Sequence, residues 1–514
     1  MTGFEDTSLW MLKIFAYFFI LLVGICIVSV LYMYVVDSHQ TKHAIRRNFP
    51  VVGRFRYFFE TLGEFFRQYF FAMDREEMPF NRATRSWVYR AAKDVDGTVA
   101  FGSTKNINGP GAVLFVSDPF PTLAEDVATA RAVTIGPHCH QPFTTSSFFN
   151  VSAMSFGAIS QPAVSALSRG AAQAGCWINT GEGGLSPHHL EGGGDIVFQI
   201  GTAKYGVRDE AGRLDDKKLL AVAAHPEVKM FELKISQGAK PGKGGILPGV
   251  KVTEVIAMTR GIPIGEDSIS PNGHADIRNV NQLLTMLTHI RELTGKPVGF
   301  KLVVGGTRFF DDLCEAIKQR GVEQFAPDFI TLDSGDGGTG AAPQSLLDSA
   351  GLNIRETLPM VGDKLEEYGL RERVHLIAAG KLITPTDVAW ALCAGADFVV
   401  SARGFMFALG CIQALQCNKN TCPTGVTTHD KNLQEGLDPT DKATRVASYI
   451  ANMEQEVGTI AHSCGVREPR QLNRSHARIV TECGQSVPLD VLYRRQAEEN
   501  PVFLRTLQES EKVS

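Results

Sequence analysis

Cys411, Cys417 and Cys422 stand at C-x5-C-x4-C spacing, with Pro423 directly after the last of them. Three thiols this close can converge on one inorganic centre. Zinc ordinarily takes four ligands, often from C-x2-C pairs. Three thiolates closed by a proline fit an iron–sulfur site better, because a cubane lacking one iron needs three protein sulfurs. The competing reading is three structural cysteines, since free Cys is often a small buried apolar residue. The other seven cysteines are scattered without a disulfide-like framework, which argues for a reducing compartment.

A redox centre needs a scaffold. From about residue 149, short β-branched or aromatic runs alternate with helical stretches and Gly-rich turns. Eight strands are expected: Phe149–Met154, Cys176–Thr180, Ile196–Ile200, Lys229–Ser236, Val298–Val303, Asp328–Leu332, Val374–Ala379 and Asp397–Ser401. Helices such as Pro162–Ala174 and Thr386–Ala394 lie between them. That alternation implies a parallel sheet with right-handed crossovers, and eight repeats favour a closed (β/α)8 TIM barrel. Gly238–Gly273 reads as a long functional insertion after the fourth strand.

Chemistry in such a barrel sits at the C-terminal strand ends. Met154-Ser155-Phe156-Gly157, Asn179-Thr180-Gly181-Glu182-Gly183-Gly184, Gln237-Gly238-Ala239-Lys240, Ser334-Gly335-Asp336-Gly337-Gly338, Gly380-Lys381 and Arg403-Gly404 all fall there. Glycines let backbone N–H groups approach phosphate oxygens, and Lys381 or Arg403 would add charge. With the thiol cluster, these ends point to a phosphorylated redox cofactor, most simply FMN.

The rest of the chain is expected to anchor and flank this barrel. Ile14–Val36 carries no charge over roughly 23 residues, enough to cross a bilayer as a helix. Glu5 and Asp6 at the start do not suit a signal peptide, so an uncleaved anchor is expected, a buried core helix being the alternative. Lys42, Arg46, Arg47, Arg54 and Arg56 follow, and the positive-inside rule then puts residues 1–13 outside the cell and the remainder in the cytoplasm. Residues 37–100 read as a juxtamembrane connector. Within it Phe55, Phe58, Phe59, Leu62, Phe65, Phe66, Tyr69 and Phe70 recur at helical spacing. That face suits either the membrane interface or packing on the catalytic domain. The barrel is expected over 101–470, closing with a helix over Thr440–Gln471 whose face carries Val446, Ile450, Met453, Val457 and Ile460. Residues 471–514 read as a peripheral tail. A net charge of -4 gives no sign of nucleic-acid binding. His138-Cys139-His140 and His188-His189 lack a second ligand pair and read as loop residues.

Several stretches, in this order, resemble the FMN-binding synthase domain of glutamate synthases. They are Met154-Ser155-Phe156-Gly157-Ala158-Ile159-Ser160, Asn179 to Gly184, Lys234-Ile235-Ser236-Gln237-Gly238-Ala239-Lys240-Pro241-Gly242, Asp336-Gly337-Gly338-Thr339-Gly340-Ala341, and Cys422-Pro423-Thr424-Gly425-Val426. With its anchor, the chain looks most like the stand-alone glutamate synthase-like members. The resemblance implies an FMN barrel with a [3Fe-4S] cluster on Cys411, Cys417 and Cys422. It implies electrons passing from a donor through the cluster to the flavin, and hydride to an imine at C2 of a 2-oxo acid. By that resemblance Lys301 and Gln199 would contact the isoalloxazine, and Met154 and Ser155 would offer backbone contacts. Ser334, Gly337, Gly338, Gly380, Lys381, Arg403 and Gly404 are expected to bind the cofactor, with the ends of strands seven and eight at its phosphate. Glu182 is the expected proton-handling group, and Lys240, aided by Gln237 and Arg260, the expected partner of the oxo-acid carboxylate.

The family loop usually reads Gly-Ala-Lys-Pro-Gly-Glu-Gly-Gly-Gln-Leu-Pro-Gly. Here its Glu is Lys243 and its Gln is Ile246. Substrate identity is therefore open, with 2-oxoglutarate the family expectation. No glutaminase or nicotinamide fingerprint is expected in this chain, so ammonia or an amine would come from elsewhere, including a separate amidotransferase. Electrons would come from ferredoxin, a reductase subunit or the membrane quinone pool. The alternative function is a membrane-anchored flavin/iron–sulfur electron-transfer protein that makes no glutamate.

Overall fold

The computed structural model describes Thr2–Glu498; residues 499–514, the end of the expected peripheral tail, lie outside the described residues. The chain divides into two compact units that part between Thr84 and Arg85. The connector expected over 37–100 is thus split: its last residues, in the helix Arg82–Ala92, bury Val88, Ala91 and Ala92.

The first unit opens with a helix over Thr2–His39, of which Leu9–His39 has the length and hydropathy (2.9) to cross a membrane, its most apolar stretch being unburied. A short helix, Ala44–Asn48, precedes the amphipathic helix Val52–Phe66 and the π-helical turn Arg67–Phe71.

The second unit is built on eight parallel strands: β1 (Phe149–Val151), β2 (Ile178–Asn179), β3 (Ile196–Ile200), β4 (Val228–Lys234), β5 (Val298–Val303), β6 (Phe329–Asp333), β7 (His375–Ala379) and β8 (Phe398–Ser401). They hydrogen-bond in sequence order, and β8 pairs with β1 to close the barrel. The expected (β/α)8 architecture is therefore the observed one. Side chains alternate across each strand. One set fills the lumen, where Trp177, Val197, Met230, Phe329, Ile377 and Phe398 form one buried cluster. Ile135 and Phe143 join that cluster from the antiparallel pair Val133–Ile135 and Phe143–Thr145, which plugs the N-terminal end of the barrel. Closing one end leaves the other as the mouth.

Local signals explain the helices. Ser160 accepts from Ala163 N to cap the helix Gln161–Ala174, and Gly175 ends it at φ +68°. Thr384 and Asp387 form a capping box for Pro385–Ala394. The long helix Pro439–Ser463 buries Val446, Ile450, Met453 and Val457 as the periodicity predicts. It crosses Gln161–Ala174 at Gly170, where a Cβ would lie 2.5 Å from Val446 Cβ and 2.6 Å from Ala443 O. In an exposed helix Gly→Ala stabilises by about 1 kcal/mol. Here the sign reverses: Gly170→Ala should destabilise by about 1–3 kcal/mol through overpacking, read as a lower thermal midpoint.

Regular structure continues past residue 471. Ala477–Val480 pairs with Val113–Phe115 and with Ser486–Pro488 in an antiparallel sheet, and Leu489 and Tyr493 are buried. The insertion after β4 is ordered by a short antiparallel pair, Ile246–Leu247 with Ser268–Ile269, and the helix Glu254–Arg260.

Candidate active site at the barrel mouth

Period-2 alternation carries a polar layer up the lumen above the apolar one. Glu232 on β4 is buried, and its carboxylate accepts from Gln199 Nε2 (2.7 Å), Asn179 Nδ2 (2.9 Å) and Thr331 Oγ1 (2.5 Å). Four strands are tied to one acid. Lys301 on β5 lines the same small cavity with Ser152, Asn179 and Glu232. It is 7% exposed, which excludes a surface lysine, and its Nζ lies 3.6 Å from Asp333 Oδ2. Asp333 Oδ2 also accepts from Gly238 N at 3.0 Å. Gly238 has no alternative there: a Cβ would lie 1.6 Å from Ser334 O. Removing the shared acceptor strands buried donors at about 1–3 kcal/mol each. Glu232→Ala should therefore cost about 3–5 kcal/mol in denaturant unfolding, and Glu232→Gln, which still accepts, markedly less.

A second charged group crowns the β2 and β4 ends. Lys234, the last residue of β4, places Nζ 3.0 Å from Glu182 Oε1 and donates to Gln237 Oε1 at 2.5 Å. Burial pushes the Glu182 carboxyl up. Lys234 beside it, with Lys240 and Arg260 beyond, outweighs burial and holds the acid below its ordinary value. Lys240 is buried rather than loop-exposed and donates to Ala341 O at 3.2 Å. Burial lowers its pKa, against the opposing pull of Glu182. Arg260 is used internally. It donates to Ser268 Oγ (3.1 Å) and Phe156 O (3.0 Å), lies over the Tyr205 ring, and acts on this site through its charge on Glu182. Lys243 is exposed, and Ile246, in its short strand, is 48% exposed.

The β6–β8 ends hold the other residues expected at the cofactor. Ser334 Oγ is already bonded to Asp336 and to Ile354 N, and Gly337 N donates to Ser334 O, so neither offers a free group. Gly404 faces the Tyr449 hydroxyl, where a Cβ would lie 2.4 Å away; its smallness serves packing. Gly380 (φ +111°) and Lys381 (φ +53°) form a tight left-handed turn beside Ser334. Lys381 Nζ lies 3.1 Å from Asp336 Oδ2, and Arg403 donates to Asp336 O at 3.0 Å. Gly338 packs against the Arg403 side chain. Met154 and Ser155, half-buried, edge the mouth on the β1 side.

The three cysteines line one small hollow together with Met406, Ile412, Pro423 and Thr427. Gln413 (φ +60°), Leu415 (φ +55°) and Asn420 (φ +61°) bend the loop around it. Lys251, buried beneath, donates to Cys417 O (2.7 Å) and Thr427 O (2.6 Å). Tyr89 donates to Cys411 O at 2.6 Å. Burial pushes the Cys411 thiol up to about 12 and raises Cys417. Burial acts on Cys422 as well, but hydrogen bonds to Thr424 and Thr427 overcome it and hold that thiol below its usual value. Among the described residues no three His, Cys, Asp or Glu side chains are close enough to hold a single metal ion. His188 bonds to Glu191 and His189 to Ser186 in the short helix Pro187–Leu190, and neither joins a ligand set.

Glu232, Lys234 and Lys251 were not identified from the sequence. For the first two a signal is present: Glu232 and Lys234 stand at i and i+2 at the end of β4, whose other residues apart from Lys229 are apolar.

Residues 121–467 match the family model described as a conserved region in glutamate synthase. A glutamate synthase large subunit-like protein, YerD, of Bacillus subtilis is 36% identical over 92% of this chain and 97% of its own length. The archaeal-type glutamate synthase [NADPH] of Thermotoga neapolitana is 35% identical over 61% of this chain, and the match spans 58% of that longer protein. A glutamate synthase large subunit-like protein of Rhizobium meliloti is 31% identical, over 61% of this chain and 71% of its own. The matched segment takes in the closed barrel, its charged mouth and the cysteine hollow alike, and on that ground the chain belongs to the glutamate synthase family of oxidoreductases.

Proposed function

We propose that this protein is a membrane-anchored, FMN- and [3Fe-4S]-dependent enzyme that reductively aminates a 2-oxo acid, using ammonia or an amine made elsewhere. The observation that carries the reading is the pairing of a charged barrel mouth with three cysteines on one hollow in a glutamate synthase family chain. The donor sets fit: a buried cation and an amide stand at the mouth for a flavin, and three soft thiols stand together for iron. When bound, the two groups supply hydride chemistry and one-electron delivery.

The chain's own residues then divide the work. Lys301 puts a positive charge where negative charge accumulates on reduction. Lys381 and Arg403 exchange part of their hold on Asp336 for a phosphate. Lys240 pairs with a substrate carboxylate. Glu182, kept ionised, steadies the positive charge of an entering amine and accepts its hydrogen bond. Leu9–His39 holds the catalytic unit at the cytoplasmic face.

The test is anaerobic purification followed by spectra, iron and sulfide analysis, and an oxo-acid panel with ammonium and reduced methyl viologen. Ammonium-dependent dye oxidation with 2-oxoglutarate or another oxo acid is the expected result. Lys243 and Ile246 depart from the family loop and leave the oxo acid open, and the rival reading is an electron-transfer protein that makes no glutamate. Bound FMN and cluster with no turnover by any oxo acid would establish that rival.

A further inference from the structure

Asp37 lies in the last turn of the Thr2–His39 helix and is 1% exposed. Its carboxylate accepts from Arg54 Nε and Nη2 (both 2.8 Å) and from Val51 N (3.0 Å). A bidentate Arg–carboxylate pair fixes direction as well as distance. Val51, at φ +68°, makes the turn, and Gly53 packs so tightly on Ile45 that a Cβ would lie 2.9 Å from Ile45 O. The apolar helix and the following helix Val52–Phe66 are thereby joined by a fixed elbow, all within the first unit.

Beyond the elbow one face is aromatic and open. Phe55, Phe58, Phe59 and Phe70 are 57%, 58%, 60% and 69% exposed. Residues 40–71 carry six Lys and Arg against two Glu. A basic amphipathic helix with a Phe-rich face suits the boundary between headgroups and acyl chains of an anionic bilayer. It also lies in the same compact unit as a helix able to cross that bilayer.

We propose that residues 42–71 are a lipid-docking element that lies in an anionic membrane surface, its attitude set by the Asp37–Arg54 elbow. The proposal rests on the membrane-spanning reading of the first helix and adds a second, interfacial contact to it.

The experiment uses the full chain in nanodiscs of phosphatidylcholine, alone or mixed with phosphatidylglycerol. Phe59→Trp and, on the opposite face, Glu60→Trp report depth against the four native tryptophans, with lipids brominated near the headgroup or deep in the chain. Docking within the outer ~5–10 Å of the acyl boundary predicts blue-shifted emission for Phe59→Trp. Headgroup-proximal bromine should quench it more than deep bromine does, and more so with phosphatidylglycerol present. Glu60→Trp should be quenched by neither. Asp37→Asn in the Phe59→Trp background should weaken the quenching and flatten its depth dependence; an unchanged profile overturns the elbow. A chain retained in discs whose Phe59→Trp emission is solvent-like overturns docking alone. Blue-shifted but unquenched emission assigns the face to protein and also overturns docking. Failure to be retained in discs overturns the spanning reading and docking with it.

Discussion

Cys422→Ala is expected to strip iron and acid-labile sulfide from the purified protein while leaving flavin bound. Of the three thiols, Cys422 is the one whose neighbours favour the thiolate, through Thr424 and Thr427, and it is 7% exposed in the wall of the hollow. The thiolate is the form that binds iron, and these neighbours lower the Cys422 thiol against the effect of burial. Lys251→Met provides the graded comparison. Lys251 touches no sulfur; it holds the loop from beneath through Cys417 O and Thr427 O. Loss of such a supporting contact costs roughly 10–100-fold in metal retention, so the Lys251 variant should be isolated with partial cluster. The Cys422 variant should be isolated with none, and its one-electron reduction of flavin should fall further still. Iron, sulfide and flavin content, with electron paramagnetic resonance of the oxidised protein, decide it. Full iron content in Cys422→Ala would end the assignment of these cysteines.

The barrel was readable because each strand is a short apolar run closed by Gly, Ser or Asp, and parallel strands buried on both faces need little more. The boundaries moved where a turn begins early: the first strand ends at Val151, short of Met154, because Ser155 and its neighbours already form the turn at the mouth. What escaped was non-local. Val113–Phe115 finds its partner more than 360 residues later, and the plug at Val133–Ile135 and Phe143–Thr145 is three residues a side. Neither leaves a periodic signature. At the barrel mouth, the strand-end rule pointed to Glu182, Lys240, Lys381 and Arg403, and the family resemblance added Lys301. It could not say which are spoken for. Ser334 and Gly337 stand at the end of β6, where a cofactor is expected, yet their groups are spent on Asp336 and on the turn itself. Arg260, far along the insertion, returns beneath the mouth as a brace.

Lys234→Met should do more damage than any surface charge removal, because Lys234 is the nearest cation to a largely buried carboxylate. The pair is 12% and 17% exposed, with Nζ 3.0 Å from Glu182 Oε1. Breaking such a pair from one side leaves the other charge without its partner, and with the residual exposure and the help of Lys240 the cost is about 2–4 kcal/mol. The pH dependence follows from the direction of the shift. The folded pKa of Glu182 lies below its ordinary 4.5, so the stabilisation is fully present above pH 4.5 and is lost as pH falls through the folded value. Without Lys234, burial dominates and the folded pKa rises, so that stabilisation disappears. The wild type should therefore exceed the variant in stability by most near neutrality, and the gap should narrow as pH drops below 4.5. Lys234→Met/Glu182→Gln should recover part of the loss, since the uncompensated charge is gone, giving a coupling of about 1–3 kcal/mol in a double-mutant cycle. Chemical denaturation of the four proteins from neutral pH into the acid range measures both effects. A gap constant with pH, together with additive single effects, would mean that Lys234 does no more than fill space beside Gln237. Glu182 would then owe its ionised state to Lys240 and Arg260 alone.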